Sequence, residues 1–134
     1  MRRILVASFL AGVLCGCVAP YQRAETARQA QVQLRGLSGE QILTCMGVPS
    51  GRLTQGQTEV WEYMSGNGQQ DIEISGAASG NFASAFGVSR QRSCKIDLIM
   101  REGIVQQVNY SGPTGGLLTP GEQCAYAVNN CVKQ

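Results

Sequence analysis

Histidine is absent from this chain of 134 residues. The side chain that most often acts as a general base, and most often binds a transition metal, is therefore missing. The six cysteines include no pair with the C-x-x-C spacing of structural zinc modules. A thiol nucleophile would also have no imidazole to activate it. We therefore expect a protein that is not an enzyme and has no catalytic residues, no cofactor, no metal site and no small-molecule substrate.

A surplus of charge of one sign is missing from most of the chain. Arg2 and Arg3 account for the whole formal net charge of +2, and the remaining basic and acidic residues balance. A nucleic-acid-binding domain needs a basic surface, and long-range steering of a charged ligand needs a strong field. The composition therefore predicts no nucleic-acid partner.

Long hydrophobic runs are also scarce, and the one that stands out is at the start of the chain. Residues Ile4–Leu14 are apolar and uncharged, and they follow the basic pair Arg2-Arg3. A membrane-spanning helix needs about 20 apolar residues, so this run is too short to cross a bilayer. Its length and its basic start are typical of a signal peptide, which we assign to residues 1–16.

The motif Leu14-Cys15-Gly16-Cys17 ends this apolar run and resembles the lipobox of bacterial lipoproteins. The resemblance implies cleavage before Cys17, diacylation of its thiol and acylation of the new amino group. The alternative is an ordinary signal peptide that is followed by an incidental cysteine. Val18, where an Asp would resemble an inner-membrane retention signal, favours a lipid anchor at the periplasmic face of the outer membrane.

The remaining cysteines are an even set of four, which an exported chain in an oxidising compartment can pair into two disulfides. These disulfide candidates are Cys45, Cys94, Cys124 and Cys131. Seven residues of continuous helix separate two Cα atoms by about 10.5 Å, beyond the roughly 7 Å limit for a disulfide. We therefore expect the last two cysteines to bond separately, one to Cys45 and one to Cys94, in an order that the sequence leaves open.

Two capped helices are predicted. Around Leu37–Pro49, Ser38 is the expected N-cap and Gln41 completes a capping box. Gly47 is a natural C-terminal stop. The second helix is expected near the C-terminus, with Thr119 as N-cap and Glu122 as its capping partner.

Residues 17–35 are polar and alanine-containing, and they are compatible with a tether or a loosely docked helix. Low sequence complexity, and the position next to the lipidated cysteine, favour the tether. Residues 36–134 are then a single domain.

Four segments have the composition or the alternation of strands. They are Thr58–Met64, Asp71–Ser75, Cys94–Arg101 and Ile104–Tyr110, and the last two are joined by a tight turn at Glu102-Gly103. The expected fold class is α+β, with short helices packed on a three- to four-stranded antiparallel sheet and a disulfide-stapled C-terminal helix.

The segment Gly76–Ser89 interrupts this pattern with glycine, alanine and serine. One interpretation is a flexible surface insertion. The other is a loop that presents Phe82 and Phe86 to a partner, and we select these two residues as partner-binding candidates because exposed aromatic residues often anchor interfaces.

The stretch Gly36–Pro49, followed by Trp61-Glu62-Tyr63, resembles the SmpA/OmlA (BamE-like) family of small outer-membrane lipoproteins. The resemblance extends over about Gly36–Tyr110. It implies two short helices on a three-stranded antiparallel sheet, and a partner in the β-barrel assembly machinery. The Gly76–Ser89 insertion and the appended C-terminal helix depart from the family pattern.

These observations favour a non-catalytic outer-membrane lipoprotein that is an accessory or scaffold protein in cell-envelope or β-barrel assembly. Its expected partners are the membrane, through the N-terminal lipid, and proteins of the cell envelope. Two alternatives remain open. One is a periplasmic inhibitor or binding lipoprotein that blocks a hydrolase with the 76–89 segment. The other is a lipoprotein component of a secretion or conjugation apparatus.

Overall fold

A computed structural model describes residues 18–68, 70–79 and 82–133, and for residues 70–90 it gives the backbone alone. The predicted signal peptide and Cys17 lie outside the described residues. The helices and strands, numbered in chain order, are α1 (Val18–Gln33), α2 (Gly39–Met46), β1 (Gly51–Gln55), β2 (Thr58–Ser65), β3 (Gln70–Ser79), β4 (Phe82–Gln91), β5 (Cys94–Arg101), β6 (Ile104–Ser111) and α3 (Ala125–Val128). A 3₁₀ turn precedes α3 at Glu122–Cys124, and another follows it at Asn129–Cys131.

Four of the strands form one antiparallel sheet in the order β1-β2-β5-β6. Strand β5 alternates strictly between buried and partly exposed positions, so one face of the sheet forms the core. The helices contribute Ala27, Ala30, Ile42 and Val128 to that core, and the expected α+β class is confirmed. No helix in the described part of the chain is long and apolar enough to span a membrane.

Helix α2 has the predicted caps. The Gln41 amide N–H donates to the Ser38 hydroxyl oxygen at 3.3 Å, and the Ser38 N–H donates to the Gln41 side-chain oxygen at 2.9 Å. Gly47 ends the helix at φ 82°, and its N–H donates to the Leu43 carbonyl. Ile42 is fully buried, which fixes the face that α2 turns to the sheet.

Two aromatic side chains of β2 join this helix to the sheet. A Cβ atom placed on Gly39 would lie 3.0 Å from the Trp61 ring, so the ring packs directly under the first turn of α2. The Tyr63 hydroxyl donates to the Gly47 carbonyl at 3.0 Å, where the helix ends. The sequence motif Trp61-Glu62-Tyr63 is therefore a packing element for α2.

The prediction of a tether at residues 17–35 is wrong, because residues 18–33 form helix α1, which is docked on the rest of the domain. Ala27 and Ala30 are buried, as is Leu34 just after the helix, and the Tyr110 hydroxyl donates to the Ala27 carbonyl at 2.8 Å. Alanine side chains are short, so the helix backbone approaches its neighbours closely. The buried stripe therefore contributes little hydrophobicity to the sequence pattern that favoured a tether.

The observed strands also differ from the predicted ones. Strand β1 was not predicted, because Gly51–Gln55 offers a single large apolar residue and no alternation. The Asp71–Ser75 strand exists but does not belong to the main sheet. It lies in β3, which pairs with β4 in a separate two-stranded sheet from Gln70↔Gln91 to Ser79↔Phe82.

The prediction of a loop at Gly76–Ser89 is therefore also wrong, because most of this segment is extended and paired. Backbone hydrogen bonds need no particular side chain. Glycine, alanine and serine can therefore form paired strands, although a composition rich in them does not predict strands. The turn predicted at Glu102-Gly103 is confirmed, with φ of 52° and 76° at the two residues.

The C-terminal segment is stapled as predicted but is capped differently. Disulfides join Cys45 to Cys131 and Cys94 to Cys124. The predicted N-cap at Thr119 is wrong, because Gly121 takes a left-handed φ of 82° and delays the first helical turn to Glu122.

Glu122 does not complete a capping box. Its carboxylate, 2% exposed, accepts from the Arg92 guanidinium at 3.0 Å. The neighbouring Gln123 is fully buried, and its side-chain oxygen accepts from the Asn67 backbone N–H at 3.0 Å. These polar contacts fix the C-terminal segment to the strand ends beside it.

Candidate protein-binding surface

The two outer strands of the main sheet have different surroundings. Strand β6 is covered by the segment between α1 and α2. The Gly36 N–H donates to the Val105 carbonyl at 2.8 Å, and the Val105 N–H donates to the Leu37 carbonyl at 2.9 Å. This added pairing satisfies backbone groups that an edge strand would otherwise leave exposed.

Strand β1 has no such cover. It pairs with β2 alone, and within the described residues no backbone hydrogen bond links residues 51–57 to anything outside the β1–β2 hairpin. Its residues from Arg52 to Gln55 are exposed. The outward N–H and C=O groups of β1 therefore form an open edge that can pair with an extended chain.

The sheet face opposite the core continues from this edge. Leu53 pairs with Val60, and Val60 pairs with Ile99, so three apolar residues form one row across β1, β2 and β5. Leu53 is 66% exposed, and the other two are half-buried. We call this surface the open face and define it by Leu53, Val60, Glu62, Lys95, Asp97 and Ile99, which line a shallow groove of about 360 Å³.

Charged residues border the apolar row. The Lys95 ammonium lies 2.9 Å from a Glu62 carboxylate oxygen and 3.6 Å from an Asp97 carboxylate oxygen. The hydrogen bond that Lys95 donates to Glu62, with the nearby charge of Asp97, raises the pKa of Lys95. Two carboxylates share one ammonium, so this side of the groove has surplus negative charge and can accept basic or N–H groups of a ligand.

The open edge is held in place by an aromatic contact from the other face of the sheet. The Arg52 guanidinium lies 4.1 Å from the centre of the Trp61 ring, and the Trp61 N–H donates to a Glu59 carboxylate oxygen at 2.6 Å. A cation over an aromatic face is attracted by the ring quadrupole. Strand β1 is thus preorganised beside β2, which lowers the entropy lost when a ligand pairs with it.

The sequence-predicted candidates lie elsewhere. The register pairs Phe82 with Ser79 and Phe86 with Ser75, so both phenylalanine positions are on one face of the β3–β4 hairpin. Their side chains lie outside what the structure describes, as does the whole of Cys17. Of the four disulfide cysteines, Cys94 and Cys124 are fully buried.

Sequence reasoning missed the open face. Strand β5 alternates core residues with Lys95, Asp97 and Arg101, and Ile99 is apolar at a position where that alternation calls for a polar residue. A single outward apolar residue is ordinary, and it marks a contact surface only where it is continuous with other exposed apolar residues, as Ile99 is with Val60 and Leu53. Leu53 gave no comparable signal, because β1 itself was not predicted.

The described residues contain no group of three or more acidic or cysteine side chains that could hold a metal ion. Comparisons of the chain with protein-family models, with curated proteins and with solved structures found no match.

Proposed function

We propose that this chain is a non-catalytic lipoprotein, anchored by Cys17 at the periplasmic face of the outer membrane. In this proposal it is an accessory or scaffold protein in cell-envelope or β-barrel assembly. The lipobox-like motif Leu14-Cys15-Gly16-Cys17 and the SmpA/OmlA resemblance support it. The two disulfides fit an exported domain, because such bonds persist in oxidising compartments.

The observation that carries the binding role is the contrast between the covered edge at β6 and the open edge at β1. In our proposal an extended segment of a partner protein pairs with Gly51–Gln55 and adds a fifth strand. Main-chain hydrogen bonds supply affinity in this mode, and alternate side chains supply specificity. The partner's inward side chains would pack on Leu53, Val60 and Ile99.

An extended segment is the form in which a barrel strand exists before the barrel closes, since closure is what removes the unpaired edges. An open edge beside an apolar row therefore suits an assembly factor. Strand β1 is only five residues long, and a short edge limits indiscriminate pairing.

Anchoring is tested by the substitution Cys17→Ser. The described domain has no membrane-spanning helix, so the variant should lose lipid labelling and leave the membrane fraction. A chain with more than one acyl group otherwise stays bound. Acyl labelling of the variant equal to that of the wild type would overturn the lipobox assignment.

Partner binding is tested by capture from membranes with tagged Leu53→Lys protein. We expect the variant to lose its partner, because a lysine would interrupt the apolar row. Val48→Lys is the matched control, since Val48 is 83% exposed and lies outside the open face. Both variants should melt as the wild type does. Retained capture by Leu53→Lys would exclude the open face.

The identity of the captured protein separates the functional alternatives. Recovery of β-barrel assembly subunits supports the favoured function. Recovery of one hydrolase would support an inhibitor, and recovery of secretion components would support an apparatus subunit.

A further inference from the structure

The start of α1 lies next to the proposed anchor. Helix α1 begins at Val18, which directly follows Cys17 in the chain. Consecutive Cα atoms are about 3.8 Å apart, so the first turn of α1 lies within a few ångströms of the acylated residue. No linker separates the described domain from a lipid on Cys17.

Helix α1 is also fixed to the rest of the domain. Ala27 and Ala30 are buried, and the Tyr110 hydroxyl donates to the Ala27 carbonyl. A Cβ atom on Gly121 would lie 3.4 Å from the Ala27 methyl group, so the 112–121 segment runs against the helix. The orientation of the first turn of α1 therefore sets the orientation of the domain.

The same end of the molecule carries exposed apolar side chains. Val18 is 49% exposed and Tyr21 is 51% exposed, and residues three apart lie on the same side of a helix. Tyr21 and Leu118 line one groove of about 470 Å³ between α1 and the 112–121 segment. Leu118 is 71% exposed, and the adjacent Leu117 is 99% exposed.

The turn that carries the two leucines is held by hydrogen bonds. The Thr119 N–H donates to the Gly116 carbonyl at 3.1 Å, and the Gly116 N–H donates to the Thr119 hydroxyl at 3.2 Å. Pro120 then fixes the backbone that follows. Leu117 and Leu118 therefore project from an ordered turn.

We infer that Val18, Tyr21, Leu117 and Leu118, here called the anchor-end patch, contact the same bilayer that holds the acyl chains of Cys17. This inference rests on the proposed lipid anchoring. A lipid surface is the occupant that the chain itself brings to this patch, because the covalent anchor is one residue away. Burial of the leucines in the interface adds apolar transfer energy to that of the lipid.

Nearby charges predict which lipids the patch accepts. Glu25 and Arg28 border the groove and form an ion pair with each other, so they cancel locally. Arg23 adds one cation at this end of α1 and lies 5.6 Å from the centre of the Tyr126 ring. Contact should therefore depend mainly on apolar burial, and it should form on zwitterionic as well as on anionic bilayers. Electrostatic binding by a basic patch would instead need anionic lipid.

The test uses the full lipidated protein, reconstituted in vesicles with brominated acyl chains, which quench tryptophan at short range. One set of vesicles is phosphatidylcholine alone, and the other also contains anionic phosphatidylglycerol. In the Leu117→Trp variant we expect loss of most of the added emission, with the buried native Trp61 as a constant background. The Val48→Trp variant is the matched control and should keep its emission. Both substitutions are at exposed positions, so neither should affect folding.

Mass spectrometry of the same samples tests the acylation of Cys17 separately from the contact between the anchor-end patch and the bilayer. Acylated protein with quenched Leu117→Trp supports the inference, and acylated protein with unquenched Leu117→Trp overturns it while the anchoring stands. Absence of acylation would overturn the proposed anchoring and the inference with it. Quenching that requires anionic lipid would also contradict contact by apolar burial.

Discussion

At the scale of single residues, the buried ion pair between Arg92 and Glu122 stabilises the C-terminal segment. Glu122 is 2% exposed, and its carboxylate also accepts from the Gln123 side-chain amide at 3.3 Å. A buried carboxylate that loses a cationic partner keeps its desolvation penalty. The C-terminal segment therefore depends on both partners being present.

We predict that Arg92→Met lowers the free energy of unfolding by about 3 kcal/mol. In the double variant with Glu122→Gln, part of that loss should be recovered, because the carboxamide can be buried without a charge. Chemical denaturation of the four proteins in a double-mutant cycle measures the coupling. A coupling energy near zero would contradict the importance of the pair.

The tyrosines predict a loss of stability at high pH. Burial raises the pKa of Tyr63 to about 12, with Arg52 opposing it, and burial also raises the pKa of Tyr110. An unfolded tyrosine titrates at about 10. Between these values the unfolded chain releases protons that the folded chain retains, so stability is full below about pH 10 and falls as pH rises toward 12.

Denaturation across that pH interval checks this prediction. Tyr63→Phe and Tyr110→Phe should each flatten the decline. Tyr21→Phe is the comparison variant, because it removes a hydroxyl from a half-exposed ring. Equal slopes in all three variants would refute the assignment.

At the scale of elements, predictability follows from how local the stabilising signal is. Helix α2 and the Glu102-Gly103 turn were predicted because their caps and φ angles depend on neighbouring residues. Helix α1, strand β1 and the β3–β4 hairpin depend on contacts or pairing that a local pattern does not contain. The disulfide pairing was predicted only in part. Helix geometry excluded a bond between Cys124 and Cys131, but it did not show which of the two bonds to Cys45 and which to Cys94.

The candidate site also depends on contacts between distant segments, which a local sequence pattern does not contain. The open edge exists because residues 36–39 cover β6 and nothing comparable in the described part of the chain covers β1, a fact of topology. Ile99 was the single local sign of the open face.

The turn before the C-terminal segment is sensitive to one methyl group. A Cβ atom on Gly115 would clash with the carbonyl oxygen of Thr119, a backbone atom that can move only if the turn changes its conformation. Gly115→Ala should therefore destabilise the domain by on the order of 1–3 kcal/mol, the range for overpacking.

Gly51→Ala is the control, because its Cβ atom would meet the Glu62 side chain at an ordinary 3.6 Å. Thermal melting compares the two variants. A Gly115→Ala protein that melts with the wild type would mean that the turn relaxes.

The β3–β4 hairpin is tested by replacing Phe82 and Phe86 together with serine. If these residues bind a partner, the variant keeps its thermal stability and loses partner capture. If they pack in the domain, melting falls, since loss of a buried phenylalanine costs about 3–5 kcal/mol. Unchanged stability with unchanged capture would make the hairpin a spacer.

At the scale of the whole molecule, the two disulfides are nested. The Cys45–Cys131 bond spans 86 residues and encloses the Cys94–Cys124 bond, which spans 30. Loss of either bond should lower stability by about 3–5 kcal/mol, since each closes a long loop. Non-reducing peptide mapping of protein from the periplasm should recover these two pairs. A Cys124–Cys131 peptide or four free thiols would contradict the fold or the compartment.

The nested bonds also decide how the protein responds to a mechanical load. Suppose tension acts between a membrane anchor at Cys17 and the C-terminus of the chain. The force then passes along α1 to Cys45 and crosses directly to Cys131, so it bypasses the chain between these two cysteines, which are 86 positions apart. Helices α1 and α2 lie on this covalent path, whereas the sheet, the open edge and the hairpin lie outside it.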